Sequence, residues 1–181
     1  MSQLPRAARR LLQPRSLAPQ VRPATAADVA AIQALVAPHV ASGAVLPREI
    51  EPSAFLVAVV HEDGEARVEG CVALTPWTGE VVELGTLVSA RAGLGRLLVE
   101  AACAAASGAG YSQIVALTAV GGFFERCGFE PQAEAPWAVA RGMVSGPPAV
   151  AVKAARCAAC PLLASCAQTL LARPLRARIA A

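Results

Sequence analysis

Apolar residues recur along this chain in two periods, and the switches between them mark an alternation of helix and strand. Val29, Ile32, Leu35 and Val36 fall at helical spacing and give one buried face. Thr25, followed three residues later by Asp28, supplies a capping-box start for that helix. Pro38 is expected to end or bend it. Ahead of the helix, Val21-Arg22-Pro23-Ala24 reads as a short first strand. The run 55–60 is almost unbroken and β-branched, as suits a strand buried on both faces. Asp63-Gly64 is hairpin chemistry, and residues 67–74 alternate as the returning partner. Pro76-Trp77-Thr78-Gly79 then turns the chain into a strand over 81–89.

Glycines punctuate the second half. Gly93 and Gly95 bracket Leu94 where a helical period begins, and Leu97, Leu98, Ala101 and Ala105 are its expected sheet-facing stripe. Gly108 and Gly110 stop it. Residues 113–118 read as the next strand and 121–126 as a short helix with Phe123 and Phe124 on its apolar side. Residues 130–148, with four prolines, read as irregular connection, and Val150-Ala151-Val152-Lys153 as a last strand. About 27 residues follow that no internal repeat explains.

Composition narrows the classes. An apolar share of 55% against 16% charged excludes a disordered chain, and 181 residues suffice for one domain with a substantial core. No run reaches the ~18–20 apolar residues of a membrane span; the alanines of 101–106 are broken by Ser107 and Gly108. A net charge of +3, with its arginine excess at the two ends, does not argue for nucleic acid. Neither a nucleic-acid nor a membrane partner is therefore expected. Residues 1–20 contain Arg6, Arg9, Arg10 and Arg15 and no acid, which leaves two readings open: a disordered basic tail or an organellar transit segment. Six cysteines without a secretory signal point to a reducing compartment, so a cytoplasmic location is expected, or an organellar one on the second reading.

Two sites of candidate chemistry stand out. The first amides of a helix have no internal partner and sit at the positive end of its dipole, so the Gly93–Gly95 turn favours phosphate oxygens. Cys71, Cys103 and Cys127 lie within apolar stretches and read as small buried hydrophobes. Cys157-x2-Cys160-Pro161-x4-Cys166 is different. Three thiolates at such spacings can ligate zinc or anchor an iron–sulfur cluster. The alternative is a helix over 161–171 that buries Cys166 with Leu162, Leu163, Ala167 and Leu170.

Glu83-Leu84, Leu87, Gly93, Gly95, Phe123, Gly128 and Phe129 together resemble the coenzyme A half of the GNAT superfamily of N-acetyltransferases. VRPATAADVAAIQALV and the segment HVASGAVLPR at 39–48 are similar to short N-acetylglutamate synthases, amino-acid N-acetyltransferases. The resemblance covers most of 21–154 and implies an α+β sandwich: a mixed, mostly antiparallel sheet flanked by helices. Residues 155–181 would then form a cysteine-containing helical extension. It implies acetyl-CoA as cosubstrate, bound by Leu87, Val88, Arg91, Gly93, Leu94, Gly95, Arg96 and Phe124, with an oxyanion contact from a backbone N–H near Val88. Glu83 would be the general base, often acting through water. Phe124 stands where a tyrosine acid is usual, which leaves Thr118 or water to protonate the thiolate. Arg48 would pair with an acceptor carboxylate, a task suited to its planar fork of donors. Glutamate is the first candidate acceptor, and a homodimer is an expected assembly. Two alternatives remain: an acetyltransferase of the arsenic-resistance type, and a catalytically weak domain that senses metal or redox state through Cys157, Cys160 and Cys166.

Overall fold

The alternating runs assemble into one seven-stranded sheet in the order β1-β2-β3-β4-β5-β7-β6. The computed structural model describes residues 17–175 apart from Asp63, Val144 and Pro161. The strands are β1 (Leu17–Pro23), β2 (Phe55–Glu62), β3 (Glu65–Pro76), β4 (Val81–Ser89), β5 (Gln113–Thr118), β6 (Glu130–Pro131) and β7 (Thr169–Pro174). All neighbours run antiparallel except β4 and β5. The helices are α1 (Val29–Ala41), α2 (Leu94–Gly108), α3 (Gly121–Glu125), α4 (Pro136–Ala140) and α5 (Pro148–Ala158). This is the mixed, mostly antiparallel α+β architecture that the sequence predicts.

Strand alternation sends side chains to two faces, and each face has its own core. On one face Val72, Leu84, Ile114 and Leu171 meet Leu94, Leu98, Val99 and Phe124 from α2 and α3. On the other face, Phe55, Val57, Cys71 and Ala73 pack under Ile32 and Val36 of α1. Farther along that second face Trp77, Val81, Val115, Leu170 and Ala172 pack under α4 and α5. The second face is therefore covered in two halves. Glu83 and Thr75, paired across β4 and β3, lie where the halves meet.

Several expectations are corrected. The first strand begins at Leu17, so residues 17–20 belong to the sheet; the rest of the expected tail or transit segment, 1–16, lies outside the described residues. Asp63 of the expected hairpin turn also lies outside them, while Gly64 has φ +85°. Pro38 sits inside α1 on its exposed side, where the hydrogen bond it removes falls on a carbonyl facing water. The buried stripe of α2 is Leu94, Leu98, Val99, Ala102, Cys103 and Ala106: Leu98 is buried as expected, while Leu97 is exposed and Ala102 and Ala106 are buried where Ala101 and Ala105 were expected.

The largest correction concerns the C-terminal part. Val150-Ala151-Val152-Lys153 is helix, not strand. Pro148 presets the first turn, the alanines favour helix, and Val150 and Ala154 are buried one turn apart. The helix expected over 161–171 is instead a short 3-10 turn, Leu163–Ser165, followed by β7. Leu171 faces the α2 core while Leu170 and Ala172 face α4 and α5, a period of two. The sheet therefore does not end at residue 154, since β7 lies between β5 and β6.

One buried charge fixes the start of α1. Asp28 takes two hydrogen bonds from Arg22, at 2.7 and 2.9 Å, and two from Thr25, on its N–H and hydroxyl, at 2.8 Å each. The Arg22 guanidinium, helped by Thr25 and opposed by burial, holds the Asp28 carboxyl well below the usual carboxylate range. A depressed folded-state pKa gives stability that is present above the ordinary carboxylate range and lost as pH falls below it. Asp28→Ala is therefore expected to cost about 1–2 kcal/mol at neutral pH and to flatten the acid limb. Thermal denaturation between neutral and acid pH checks this.

Candidate active site

Strands β4 and β5 pair over three residues only: Val81 with Gln113, Val82 with Ile114 and Glu83 with Val115. Past that point β4 runs on to Ser89 and β5 to Thr118, but they no longer pair with each other. The two strands part immediately after Glu83. The bend that parts them is local to β4, whose register against β3 shifts between Gly85 and Val88. Thr86, inside that shift, has φ +49°, a left-handed conformation that costs a β-branched residue free energy. Such a bulge re-aims a strand's backbone, here along the edge that faces the fork.

Helix α2 starts close to the end of β4. Gly93 caps it with φ +87°, which glycine alone adopts without penalty. The N–H of Leu97 bonds to the Gly93 carbonyl at 3.3 Å, so the amides of Gly95 and Arg96 have no carbonyl a turn earlier within the helix. A Cβ on Gly95 would lie 3.4 Å from the Phe123 ring and 3.7 Å from the Ser89 hydroxyl, so Phe123 packs closely against the backbone there, whereas a Cβ on Gly93 would meet nothing within 4 Å. Leu94 is buried in the core beneath, and Leu87 is half-buried at the core's edge.

The other side chains expected at the coenzyme have partners within the chain. Arg91 is taken up by Glu62 at 2.9 Å and Glu69 at 2.8 Å. Arg96 donates to the Arg126 carbonyl and so ties the start of α2 to the end of α3. Phe124 is buried edge-on against Phe123 and Phe129, and Phe123 takes the place against Gly95. The Val88 side chain is buried under α1, so only its backbone is available to a ligand. Thr118, at the end of β5, accepts the Val120 N–H at 3.0 Å and keeps its hydroxyl proton to give.

Glu83 lies on the face opposite α2. Its Oε2 accepts from Trp77 Nε1 at 2.8 Å and from Lys153 Nζ at 2.7 Å. No described residue donates to Oε1. The Lys153 ammonium also lies 5.9 Å from the centre of the Trp77 ring. Across the strand, Thr75 accepts from Arg48 at 3.3 Å, and the Arg48 guanidinium lies 5.4 Å over the Phe55 ring. One cation, Lys153, thus bonds the carboxylate, and a second, Arg48, bonds the residue paired with it across β3 and β4. Sequence reasoning reached Glu83 and Arg48 but not Lys153 or Trp77. That Lys153 is the one lysine among 16 basic residues was the available signal. A cavity of about 160 Å³ lies beside the site rather than in it, lined by Trp77, Val81, Gln113, Gln132 and Glu134.

The C-terminal cysteines form no metal centre here. Among the described residues no group of three His, Cys, Asp or Glu side chains is disposed to hold a metal ion. Cys157 ends α5, Cys160 follows through a turn closed by its N–H on the Cys157 carbonyl, and Cys166 comes after the 3-10 turn. Arg141 clamps this loop by donating to the Leu163 and Cys166 carbonyls. The zinc or iron–sulfur expectation finds no support among the described residues. Cys71, Cys103 and Cys127 are buried as expected, and burial pushes the Cys71 and Cys103 thiols up to about 11.

No protein-family model matches the chain. It is 34% identical over 119 residues to an uncharacterized N-acetyltransferase, CT2212, of Chlorobaculum tepidum, covering 61% of this chain and 74% of the relative. Among solved structures it is similar in fold to the N-acetylglutamate synthase of Neisseria gonorrhoeae complexed with coenzyme A and N-acetyl-glutamate, with 23% identity and a TM-score of 0.66. That likeness covers 90% of this chain but 36% of the synthase, so the chain spans about a third of that protein's length. It is also similar to the Rv2747 protein of Mycobacterium tuberculosis in complex with CoA, with 23% identity and a TM-score of 0.67 over 87% of this chain and 99% of that one. With its forked strands, its glycine-capped helix and a relative of this identity, the chain belongs to the GNAT family of N-acetyltransferases.

Proposed function

We propose that the chain transfers the acetyl group of acetyl-CoA to the amine of a small acceptor bearing a carboxylate, with glutamate the first candidate. The observation that carries this reading is the position of Glu83, the last paired residue before β4 and β5 part. The phosphates of the coenzyme meet the bare amides at the start of α2, and its thiol arm enters the fork. Glu83 Oε1 takes the proton of the acceptor's ammonium, directly or through water. Backbone N–H groups on the β4 edge around Thr86–Val88 stabilise the oxyanion, and Thr118 or water protonates the departing thiolate.

Arg48 and Lys153 supply the acceptor's specificity. Both cations border Glu83 on the face away from α2, and a carboxylate-bearing acceptor meets them while its amine meets Glu83. N-acetylglutamate synthase among the similar structures supports an amino-acid acceptor. The experiment is thiol release from acetyl-CoA over a panel of amines. Release with dicarboxylic amino acids, and a KM raised about tenfold or more in Arg48→Ala at similar kcat, is the expected result. Release with uncharged amines alone, indifferent to Arg48→Ala, contradicts the assignment of the acceptor.

A further inference from the structure

The chain uses arginine for every other cation outside its N-terminus, yet the residue bonded to Glu83 is lysine. For an ion pair alone arginine is the stronger choice, because its planar fork binds a carboxylate with two hydrogen bonds. Lysine differs in one chemical respect that matters here: once deprotonated, its amine is a nucleophile. Its Nζ stands 2.7 Å from the carboxylate that serves as base, at the point where β4 and β5 separate. The pair is partly sheltered, with Lys153 20% and Glu83 13% exposed, and the Trp77 indole fixes Glu83 from the other side. Lys153 bonds Oε2 of Glu83, so an ammonium of the chain itself already stands at the carboxylate, beside the Oε1 left to a free acceptor.

We propose that Lys153 is itself acetylated by this site, as an internal acceptor. The proposal rests on acetyl-CoA use as set out under the proposed function. In the step, Glu83 takes a proton from the Lys153 ammonium and the freed Nζ attacks the thioester carbonyl carbon. The C–N bond forms and the C–S bond breaks. The electron pair leaves on the coenzyme sulfur, which takes up a proton. Ammonium and thioester thus become amide, thiol and one released proton. The product amide is uncharged, so the ion pair with Glu83 is lost and Trp77 alone remains on that carboxylate.

The test uses the full chain with acetyl-labelled acetyl-CoA and no added acceptor. Cleavage after arginine releases residues 142–156, between Arg141 and Arg156, with the sole lysine inside. Label in that peptide is expected. K153R should carry none there, and E83Q should label at least about tenfold more slowly while still binding acetyl-CoA. Binding without label at Lys153, or labelling as fast in E83Q or in urea-unfolded protein, overturns this inference alone. Absence of acetyl-CoA binding overturns it together with the function on which it rests.

Discussion

Glu83→Gln is expected to lower the rate of acetyl transfer by about 10²–10⁴-fold at neutral pH while leaving acetyl-CoA affinity unchanged. The substitution keeps the side chain's size and an oxygen for the Trp77 indole to donate to, so the 2.8 Å contact can survive. What it removes is the capacity to accept a proton from an ammonium. The deficit should therefore shrink as pH rises, because a growing share of the acceptor amine is then already free. Steady-state rates for both proteins across the alkaline range check this. A loss of the same size at every pH would show that Glu83 positions the acceptor and does not deprotonate it.

Gly93→Val is expected to weaken acetyl-CoA binding by about tenfold to a hundredfold, or roughly 1.4–2.8 kcal/mol. A Cβ at Gly93 would meet nothing within 4 Å, so the loss does not come from overpacking. It comes from the backbone. At φ +87° a β-branched residue is strained, and relief requires the entry to α2 to rotate. Rotation turns away the amides of Gly95 and Arg96, to which the proposed function assigns the coenzyme's phosphates. Lowered thermal stability with an unchanged acetyl-CoA dissociation constant would contradict the role given to that turn.

The strand–turn–helix unit on the α2 side of the candidate site was legible in the sequence, because it is encoded locally. A carboxylate on a strand, two glycines ten and twelve residues on, and an apolar period directly after them imply one connected unit. The acceptor side was less so, because it is encoded at long range. Lys153 reaches Glu83 from α5, seventy residues along the chain. Its local run, Val-Ala-Val-Lys, is too short for period to separate strand from helix. The same ambiguity hid β7, where Leu170-Leu171 was expected in a helix with Cys166. Once β7 pairs with β5 along its whole length, the strand at 150–153 is no longer needed to fill that position. Phe123 and Phe124 are adjacent, so the sequence could not say which ring meets Gly95 and which enters the core. The ion pairs of Arg91 with Glu62 and Glu69 on the β2–β3 hairpin are likewise long-range and were not legible beside the glycines.

Calorimetric titration of the purified chain with acetyl-CoA tests the central claim most directly, because it requires no knowledge of the acceptor. Saturable binding of one acetyl-CoA per chain is expected, displaced by free coenzyme A and weakened in Gly93→Val. Absence of saturable heat up to millimolar acetyl-CoA, from protein shown to be folded, would contradict it.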